Sequence, residues 1–173
     1  ISPSVSTIFT VTGTDINTCT STSTVQITVN PLPNTQVSAN PTTICNTDTS
    51  LLSAFGAASY VWSNGLTVST QFVTPNTNTT YTVTGTTSLG CTNSSTVLIV
   101  VHDLPVLNAT ATPSTICAGT ITALAAIGDP SNAYIWSNGI NTDTQSVAPS
   151  ANTDYTVTAT NINSCTATAV ASV

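Results

Sequence analysis

The sequence predicts an all-β protein built from tandem β-sandwich domains, and three observations support this. Thr and Val, whose branched side chains fit a pleated sheet, are abundant, whereas the helix formers Lys, Arg, Glu and Met are absent. No long apolar stripe recurs at the helical spacing of about 3.6 residues. Finally, the chain repeats itself: Trp-Ser-Asn-Gly at residues 62–65 returns at 136–139, and Tyr-Thr-Val-Thr at 81–84 returns at 155–158. Repetition at a long, nearly fixed period indicates tandem copies of one folding unit.

The repetition predicts three segments, which we name the first, second and third repeats. The first is partial and spans residues 1–33, the second spans 34–105 and the third spans 106–173. The first repeat holds only the last strands of the unit. Either it reflects where the sequence begins, or it is an incomplete hairpin that completes a sandwich with another subunit. Pro-containing linkers at 30–33 and 102–105 predict a stiff row of domains.

The strands of the second repeat can be placed individually. They are predicted near 36–39, 50–55, 59–62, 67–73, 80–86 and 92–101. Short strands at this spacing, punctuated by Gly, Pro and Asn, are typical of a β-sandwich. The Asn-Gly pairs at 64–65 and 138–139 predict tight turns, because both residue types accept a positive φ. We predict that Trp62 and Trp136 are core residues of the third strand; the alternative is a pair of exposed rings that stack on sugars.

The charge composition excludes several classes of partner. Only 3% of the residues are charged, against about a quarter in an ordinary globular protein. Lys and Arg supply most contacts to phosphate, so we expect no nucleic-acid partner and no anionic membrane surface. No apolar run is long enough to span a bilayer, and membrane insertion is not expected. The lack of Lys and Arg also leaves trypsin-like proteases without a cleavage site.

The chain offers little catalytic chemistry. His102 is the only histidine, and no Ser has a candidate base at an equivalent position of the other repeats. We therefore predict no enzyme activity, no cofactor and no metal site. Calcium at Asp103 would need several carboxylates, and the six Asp residues are spread along the chain. His102 is expected to be a solvent-exposed residue of a linker.

The five cysteines allow a prediction of the disulfide bonds. A shift of 72 residues places Cys45 on Cys117, and a shift of 74 places Cys91 on Cys165. We predict the intradomain disulfides Cys45–Cys91 and Cys117–Cys165, because this pairing treats both full repeats alike and stays within each. Cys19 matches Cys91 and is left unpaired in these residues. Metal binding is the alternative, although no Cys-x-x-Cys pair occurs. Disulfides predict an extracellular setting.

The repeated residues resemble a known family. Ile-Cys at 44–45, Trp-Ser-Asn-Gly, Tyr-Thr-Val-Thr and a later Cys, followed by a Pro-containing linker, are similar to the Ig-like or PKD-like tandem repeats of large secreted Bacteroidetes surface proteins. The resemblance covers nearly the whole chain. It implies Ig-like sandwiches in exported adhesins, fibres or surface layers. It is specific as a repeat type and implies no single activity.

One strand differs between repeats in a way that predicts assembly. Leu98 and Val100 stand where the first repeat has the outward-pointing Gln26 and Thr28. Outward apolar residues on an edge strand favour burial against a neighbour. Phe55 and Ile127 are also apolar, but the alternation places them off the face that their strands bury. The candidate assembly contacts are therefore Leu98, Val100, Phe55 and Ile127.

These observations predict a structural protein: a stiff extracellular filament, fibre or adhesin shaft on the cell surface. The predicted partners are other copies of the chain, packed laterally or joined into fibres. The alternative is a glycan-binding or adhesive module of a large surface protein, with Trp-lined or Thr-lined surfaces that contact surface glycans.

Overall fold

The computed structural model describes all 173 residues and contains fifteen β-strands and no helix. The strands are β1 (Thr7–Thr14), β2 (Thr20–Ile27), β3 (Gln36–Asn40), β4 (Thr43–Cys45), β5 (Ser50–Phe55), β6 (Ser59–Trp62), β7 (Thr70–Val73), β8 (Thr79–Thr86), β9 (Thr92–His102), β10 (Leu107–Thr112), β11 (Thr122–Gly128), β12 (Ala133–Trp136), β13 (Thr144–Val147), β14 (Asp154–Thr160) and β15 (Thr166–Ser172). The all-β prediction is confirmed. No helix is long and apolar enough to cross a membrane.

Each sheet takes all its strands from one repeat. The first repeat forms the ribbon β1-β2, which we call the N-terminal ribbon. The second repeat forms a three-stranded sheet, β3-β5-β7, and a four-stranded sheet, β4-β9-β8-β6. The third forms two three-stranded sheets, β10-β11-β13 and β12-β14-β15. From β3 to β8 and from β11 to β14, consecutive strands alternate between the two sheets of their repeat, whereas β1-β2, β8-β9, β10-β11 and β14-β15 are neighbours within one sheet.

Strand positions in the second repeat follow the sequence pattern closely, with one omission. The six predicted strands correspond to β3, β5, β6, β7, β8 and β9, although β7 begins three residues later than predicted, at Thr70. Strand β4 was not predicted. It has three residues and pairs in parallel with the end of β9, so that Cys45 lies opposite His102. Three residues are too few to display the alternation by which a strand is recognised in sequence.

The third repeat contains a hydrophobic core between its two sheets. Leu124 and Ala126 of β11 belong to the same buried cluster as Trp136 of β12, Val157 of β14 and Ala171 of β15. Two-residue alternation explains this arrangement, because every second side chain of a strand points to the same face. A cluster that draws on both sheets makes the third repeat a two-layer β-sandwich.

The two tryptophans are core residues, as predicted. Trp62 and Trp136 are each 2% exposed and occupy the last position of β6 and of β12. The turns after them contain the predicted positive-φ glycines, Gly65 and Gly139. These turns do not close hairpins, since β6 and β7 lie in different sheets, as do β12 and β13. Each Asn-Gly turn instead begins the crossing from one sheet to the other.

The N-terminal ribbon lacks a covering sheet. Val11 of β1 is 66% exposed, whereas the equivalent Val83 and Val157 are completely buried. Ile27 is also exposed, while its equivalent Ile99 is fully buried. The ribbon keeps the sequence pattern of a sandwich face but has no second layer over it.

Two compact units can be distinguished in the chain. The first comprises Ile1–Asn40, Leu51–Phe72 and Thr80–Leu98, and the second comprises Pro41–Ser50, Val73–Thr79 and Ile99–Val173. Strand β4, the end of β9 and the whole third repeat therefore belong to the second unit. The candidate site described next lies within that unit.

Candidate functional site: a cystine junction

One half of the site is the turn between β14 and β15. The side-chain Oδ1 of Asn161 accepts hydrogen bonds from the backbone N–H groups of Asn163 and Cys165, both at 3.0 Å. Ser164 has φ 63°, the left-handed conformation that such a turn requires. The Asn161 side chain thus fixes the backbone at Cys165. Cys165 is 1% exposed.

The other half is the end of β4 and the loop after it. The Asn46 N–H donates a 2.8 Å hydrogen bond to the carbonyl oxygen of His102, which extends the parallel pairing of β4 with β9. The chain then turns, with Asp48 N–H donating to Cys45 O at 3.0 Å and Thr47 at φ 81°. These bonds hold Cys45 beside the last residue of β9.

Cys45 and Cys165 form a disulfide across 120 residues of sequence, with their Cα atoms 5.6 Å apart. The His102 carbonyl oxygen lies 4.0 Å from Cys165 Sγ. The Asn161 side-chain amide also donates a 2.9 Å hydrogen bond to the carbonyl oxygen of Asp103. We call this group of five residues the cystine junction. It joins the end of the second repeat in sequence to the β14–β15 turn of the third.

The predicted pairs Cys45–Cys91 and Cys117–Cys165 are wrong. Cys91 precedes the first residue of β9, and Cys45 lies opposite the last one, 11 residues along the strand. At about 3.3 Å per residue the two thiols are tens of ångströms apart, whereas a disulfide needs Cα atoms within about 7 Å. In the third repeat, β15 separates Cys165 from the region of Cys117 in the same way. Cys91 and Cys117 are free, as is Cys19.

His102 and Asp103 lie at the junction. His102 was expected to be a solvent-exposed residue, but it is half-buried. Its carbonyl oxygen accepts the hydrogen bond from Asn46, which follows Cys45, and lies near Cys165 Sγ. A groove of about 410 Å³ adjoins the junction and is lined by Thr43, Asp48 and Asn163 among others. No group of three or more His, Cys, Asp or Glu residues is arranged to hold a metal ion. Of the two bonded cysteines, Cys165 is buried and Cys45 is half-buried.

Three of the four candidate assembly contacts lie at the surface. Leu98 is 49% exposed, Phe55 47% and Ile127 55%, while Val100 is half-buried beside β4. These three side chains remain apolar surface that the chain itself does not cover. Their role in packing between copies stays a prediction.

Two ionisable side chains have displaced pKa values. The hydrogen bonds from the Ser131 N–H and hydroxyl to Asp129 Oδ1, at 2.9 and 2.8 Å, lower the pKa of Asp129. Burial raises the pKa of the Tyr81 phenol. Neither residue lies at the cystine junction. Both shifts report local structure, and neither marks a catalytic pair.

Solved structures with similar folds include adhesins and Ig-like proteins. A Ca²⁺-stabilised, ice-binding adhesin of an Antarctic bacterium matches with 15% identity and a TM-score of 0.43, covering 97% of this chain and 55% of that chain. Murine CEACAM1b matches with 12% identity and a TM-score of 0.39, covering 79% and 96%. A titin segment matches with 14% identity and a TM-score of 0.36, covering 96% and 73%. No family model and no curated protein matches the chain. These likenesses concern the fold alone.

Proposed function

We propose that the chain is a structural extracellular protein whose Ig-like β-sandwich repeats form a stiff filament, fibre or adhesin shaft at the cell surface. The observation that supports this most is the cystine junction. Its Cys45–Cys165 disulfide bridges a residue of the second repeat and a residue of the third. A covalent link from one repeat to the next limits bending and extension of a chain of repeats, which a shaft under load requires.

The same bond supports a proposal about the environment of the protein. Disulfides persist in oxidising compartments, and thiol buffers reduce them in the cytosol. A cystine whose Cys165 is buried, in a chain that carries no Lys or Arg, suits long exposure to proteases outside the cell. This supports an extracellular location for the chain.

The domain organisation belongs to the proposal. We place the partial repeat at 1–33 and the full repeats at 34–105 and 106–173, because all strands of each sheet fall within one of these segments. We also place the chain among the Ig-like or PKD-like repeats of large Bacteroidetes surface proteins, which its repeated Ile-Cys, Trp-Ser-Asn-Gly and Tyr-Thr-Val-Thr sequences resemble. Both assignments start from sequence repetition, and the grouping of strands into sheets supports the first.

Single-molecule force spectroscopy tests the mechanical function. The oxidised chain, held at both termini, should extend by less than its full contour length, because the 120 residues enclosed by the cystine cannot unravel. Addition of a reductant should release that hidden length. A chain that reaches the same contour length with and without reductant would refute a mechanical role for the cystine. A Cys19→Ser variant serves as the matched control, since Cys19 is free.

A further inference from the structure

Both full repeats carry an Asn-Gly pair in the turn that follows the core tryptophan. The pair is Asn64-Gly65 in the second repeat and Asn138-Gly139 in the third. Asn before Gly loses ammonia more readily than Asn before other residues, because glycine has no side chain to hinder the attack of its backbone nitrogen on the Asn carboxamide. The mechanical function proposed above makes no use of this chemistry.

In each repeat a glutamine of the next strand holds the asparagine side chain. Asn64 Nδ2 donates a hydrogen bond to Gln71 Oε1 of β7 at 2.6 Å, and Asn138 Nδ2 donates one to Gln145 Oε1 of β13 at 2.7 Å. We call each of these pairs an Asn–Gln clamp. The Oδ1 of each asparagine also accepts a hydrogen bond from the backbone N–H two residues further on, at 3.3 Å and 3.4 Å respectively. Both polar atoms of each Asn carboxamide are therefore engaged.

The backbone nitrogen that would attack the carboxamide is bonded as well. The Gly65 N–H donates to Trp62 O at 2.9 Å, and the Gly139 N–H donates to Trp136 O at 2.8 Å. This nitrogen must leave its hydrogen bond and lose its proton before it can attack. The reaction therefore requires the turn and the clamp to open together, and the fold opposes it at both sites.

The two clamps differ in their exposure to water. Gln71 is 7% exposed and its Nε2 has no hydrogen-bond partner, so opening its clamp leaves a buried carboxamide without any bond, which is costly. Gln145 is half-buried, and water can replace the bond to Asn138. The additional bond from Gln145 Nε2 to Asn138 Oδ1 is long, at 3.4 Å, and adds little. The clamp of the third repeat is therefore the easier one to open.

We propose that Asn64 and Asn138 are sites of spontaneous deamidation, that the Asn–Gln clamp controls the rate at each site, and that Asn138 reacts first in the folded chain. Each event adds one carboxylate to a chain whose formal net charge is −6. Where the isoaspartyl product forms, the backbone of the turn also gains a carbon atom. The proposal does not depend on the mechanical function.

The reaction needs only water. Hydroxide takes the proton of the Gly139 nitrogen, whose electron pair forms a bond to Asn138 Cγ. The Cγ–Nδ2 bond breaks, and the leaving nitrogen takes up a proton from water and departs as ammonia. One water molecule then opens the resulting succinimide ring, at Cγ to give aspartate or at the backbone carbonyl carbon to give isoaspartate. Water is consumed, ammonia is released, and nothing is oxidised or reduced.

The test compares the two sites within one molecule. The full chain is incubated at mildly alkaline pH, folded and in guanidinium chloride, and then cleaved before Asp. Peptides 48–102 and 129–142 contain Asn64 and Asn138, and tandem mass spectrometry locates the deamidated residue in each. Both sites lie in the same Trp-Ser-Asn-Gly sequence, so their rates in denaturant should be equal. In the folded chain both should be slower, with Asn138 several-fold faster than Asn64.

Three results would overturn the proposal. The first is equal rates at the two sites of the folded chain, or a faster reaction at Asn64. The second is a rate at Asn138 that folding does not slow. The third is a folded chain in which neither site reacts while the denatured sample does.

Variants of the clamp test its control of the rate. Gln145→Leu should accelerate deamidation of Asn138 by about threefold to tenfold, the factor that an ordinary hydrogen bond contributes, and should leave Asn64 unchanged. Gln145→Glu keeps an acceptor for Asn138 Nδ2 and should stay close to the native rate. Ser146→Ala, at the adjacent exposed position of β13, is the matched control.

The reciprocal variant, Gln71→Leu, should accelerate Asn64 and leave Asn138 unchanged. An unchanged rate at Asn138 in Gln145→Leu would refute the clamp, as would equal acceleration in Gln145→Glu or Ser146→Ala. Acceleration of both sites by either Leu variant would contradict an effect confined to one clamp.

Discussion

The indole Nε1–H of Trp62 donates a 2.7 Å hydrogen bond to the carbonyl oxygen of Val68, and Trp136 bonds Thr142 O in the same way at 2.9 Å. In both cases the acceptor lies in the segment that crosses from one sheet to the other. The buried ring fills the core, and its single polar atom fixes the crossing. The bond satisfies the one polar group of a buried ring, which would be costly to bury without a partner.

Substitution of Trp136 by Phe should therefore destabilise the chain. The variant leaves the Thr142 carbonyl without its donor and removes part of a ring that is 2% exposed. We expect a loss of about 2–3 kcal/mol in the free energy of unfolding, measured by urea denaturation. Ile135→Thr on the same strand is the control, because Ile135 is exposed. Equal stability of the two variants would contradict the role assigned to the indole.

The turn after Trp136 depends on glycine for its backbone conformation. Gly139 has φ 87°, and no atom lies within 4 Å of where its Cβ would be. Gly139→Ala should cost about 1 kcal/mol through backbone strain alone, while Gly139→Asn should cost less, because Asn tolerates this region. Thermal unfolding of the two variants checks the order. If Ala and Asn were equally tolerated, strain at this turn would not be the cause.

The Cys45–Cys165 cystine should contribute much of the chain's stability. It closes a loop with a sequence separation of 120. Chain-entropy arguments assign such a loop about 4–5 kcal/mol. A double variant, Cys45→Ala with Cys165→Ala, should lose stability of this order in urea denaturation, and Cys19→Ser should be neutral. A double variant as stable as the native chain would show that the cystine does not constrain the unfolded state.

The strands could be predicted from sequence because the alternation of apolar residues within each strand indicates its position. Leu52 and Leu124, both fully buried, stand two residues from other apolar residues on the same face. Alternation of this kind is a local property, so the positions of β5 and β11 follow from neighbouring residues. The same holds for the tryptophans, whose surroundings repeat almost unchanged in the second and third repeats.

The cystine could not be predicted in this way, because it depends on how the ends of strands meet. The sequence shows that Cys45 and Cys117 are equivalent, and that Cys91 and Cys165 are equivalent, but not which turn approaches which strand. Pairing within a repeat and pairing between successive repeats both respect that equivalence. The three-residue strand β4, which places Cys45 at the far end of β9 from Cys91, decides between them.

The loop at Asp129 gives a prediction about pH. Because hydrogen bonds from Ser131 lower the pKa of Asp129 in the folded chain, the charged carboxylate favours folding at pH values above about 4. This contribution is lost as the pH falls through the lower, folded pKa. Ser131→Ala keeps the backbone N–H bond and removes the hydroxyl bond, so it should raise the pKa of Asp129 part of the way towards its ordinary value in a carbon-13 NMR titration. Ser150→Ala is the control, and an unchanged titration in Ser131→Ala would exclude the hydroxyl bond as a cause.

Lateral packing of copies is the last prediction and concerns the exposed side of β9. Leu98 and Val100 point the same way along the strand, and Leu98 leaves half of its surface uncovered. A Leu98→Thr, Val100→Thr double variant should shift sedimentation of the reduced chain towards smaller species, because apolar area buried between copies is lost. Measurement under reducing conditions separates this contact from any disulfide link. Ile135→Thr removes equally exposed apolar surface elsewhere, so an identical shift in that variant would show that the effect is not specific to β9.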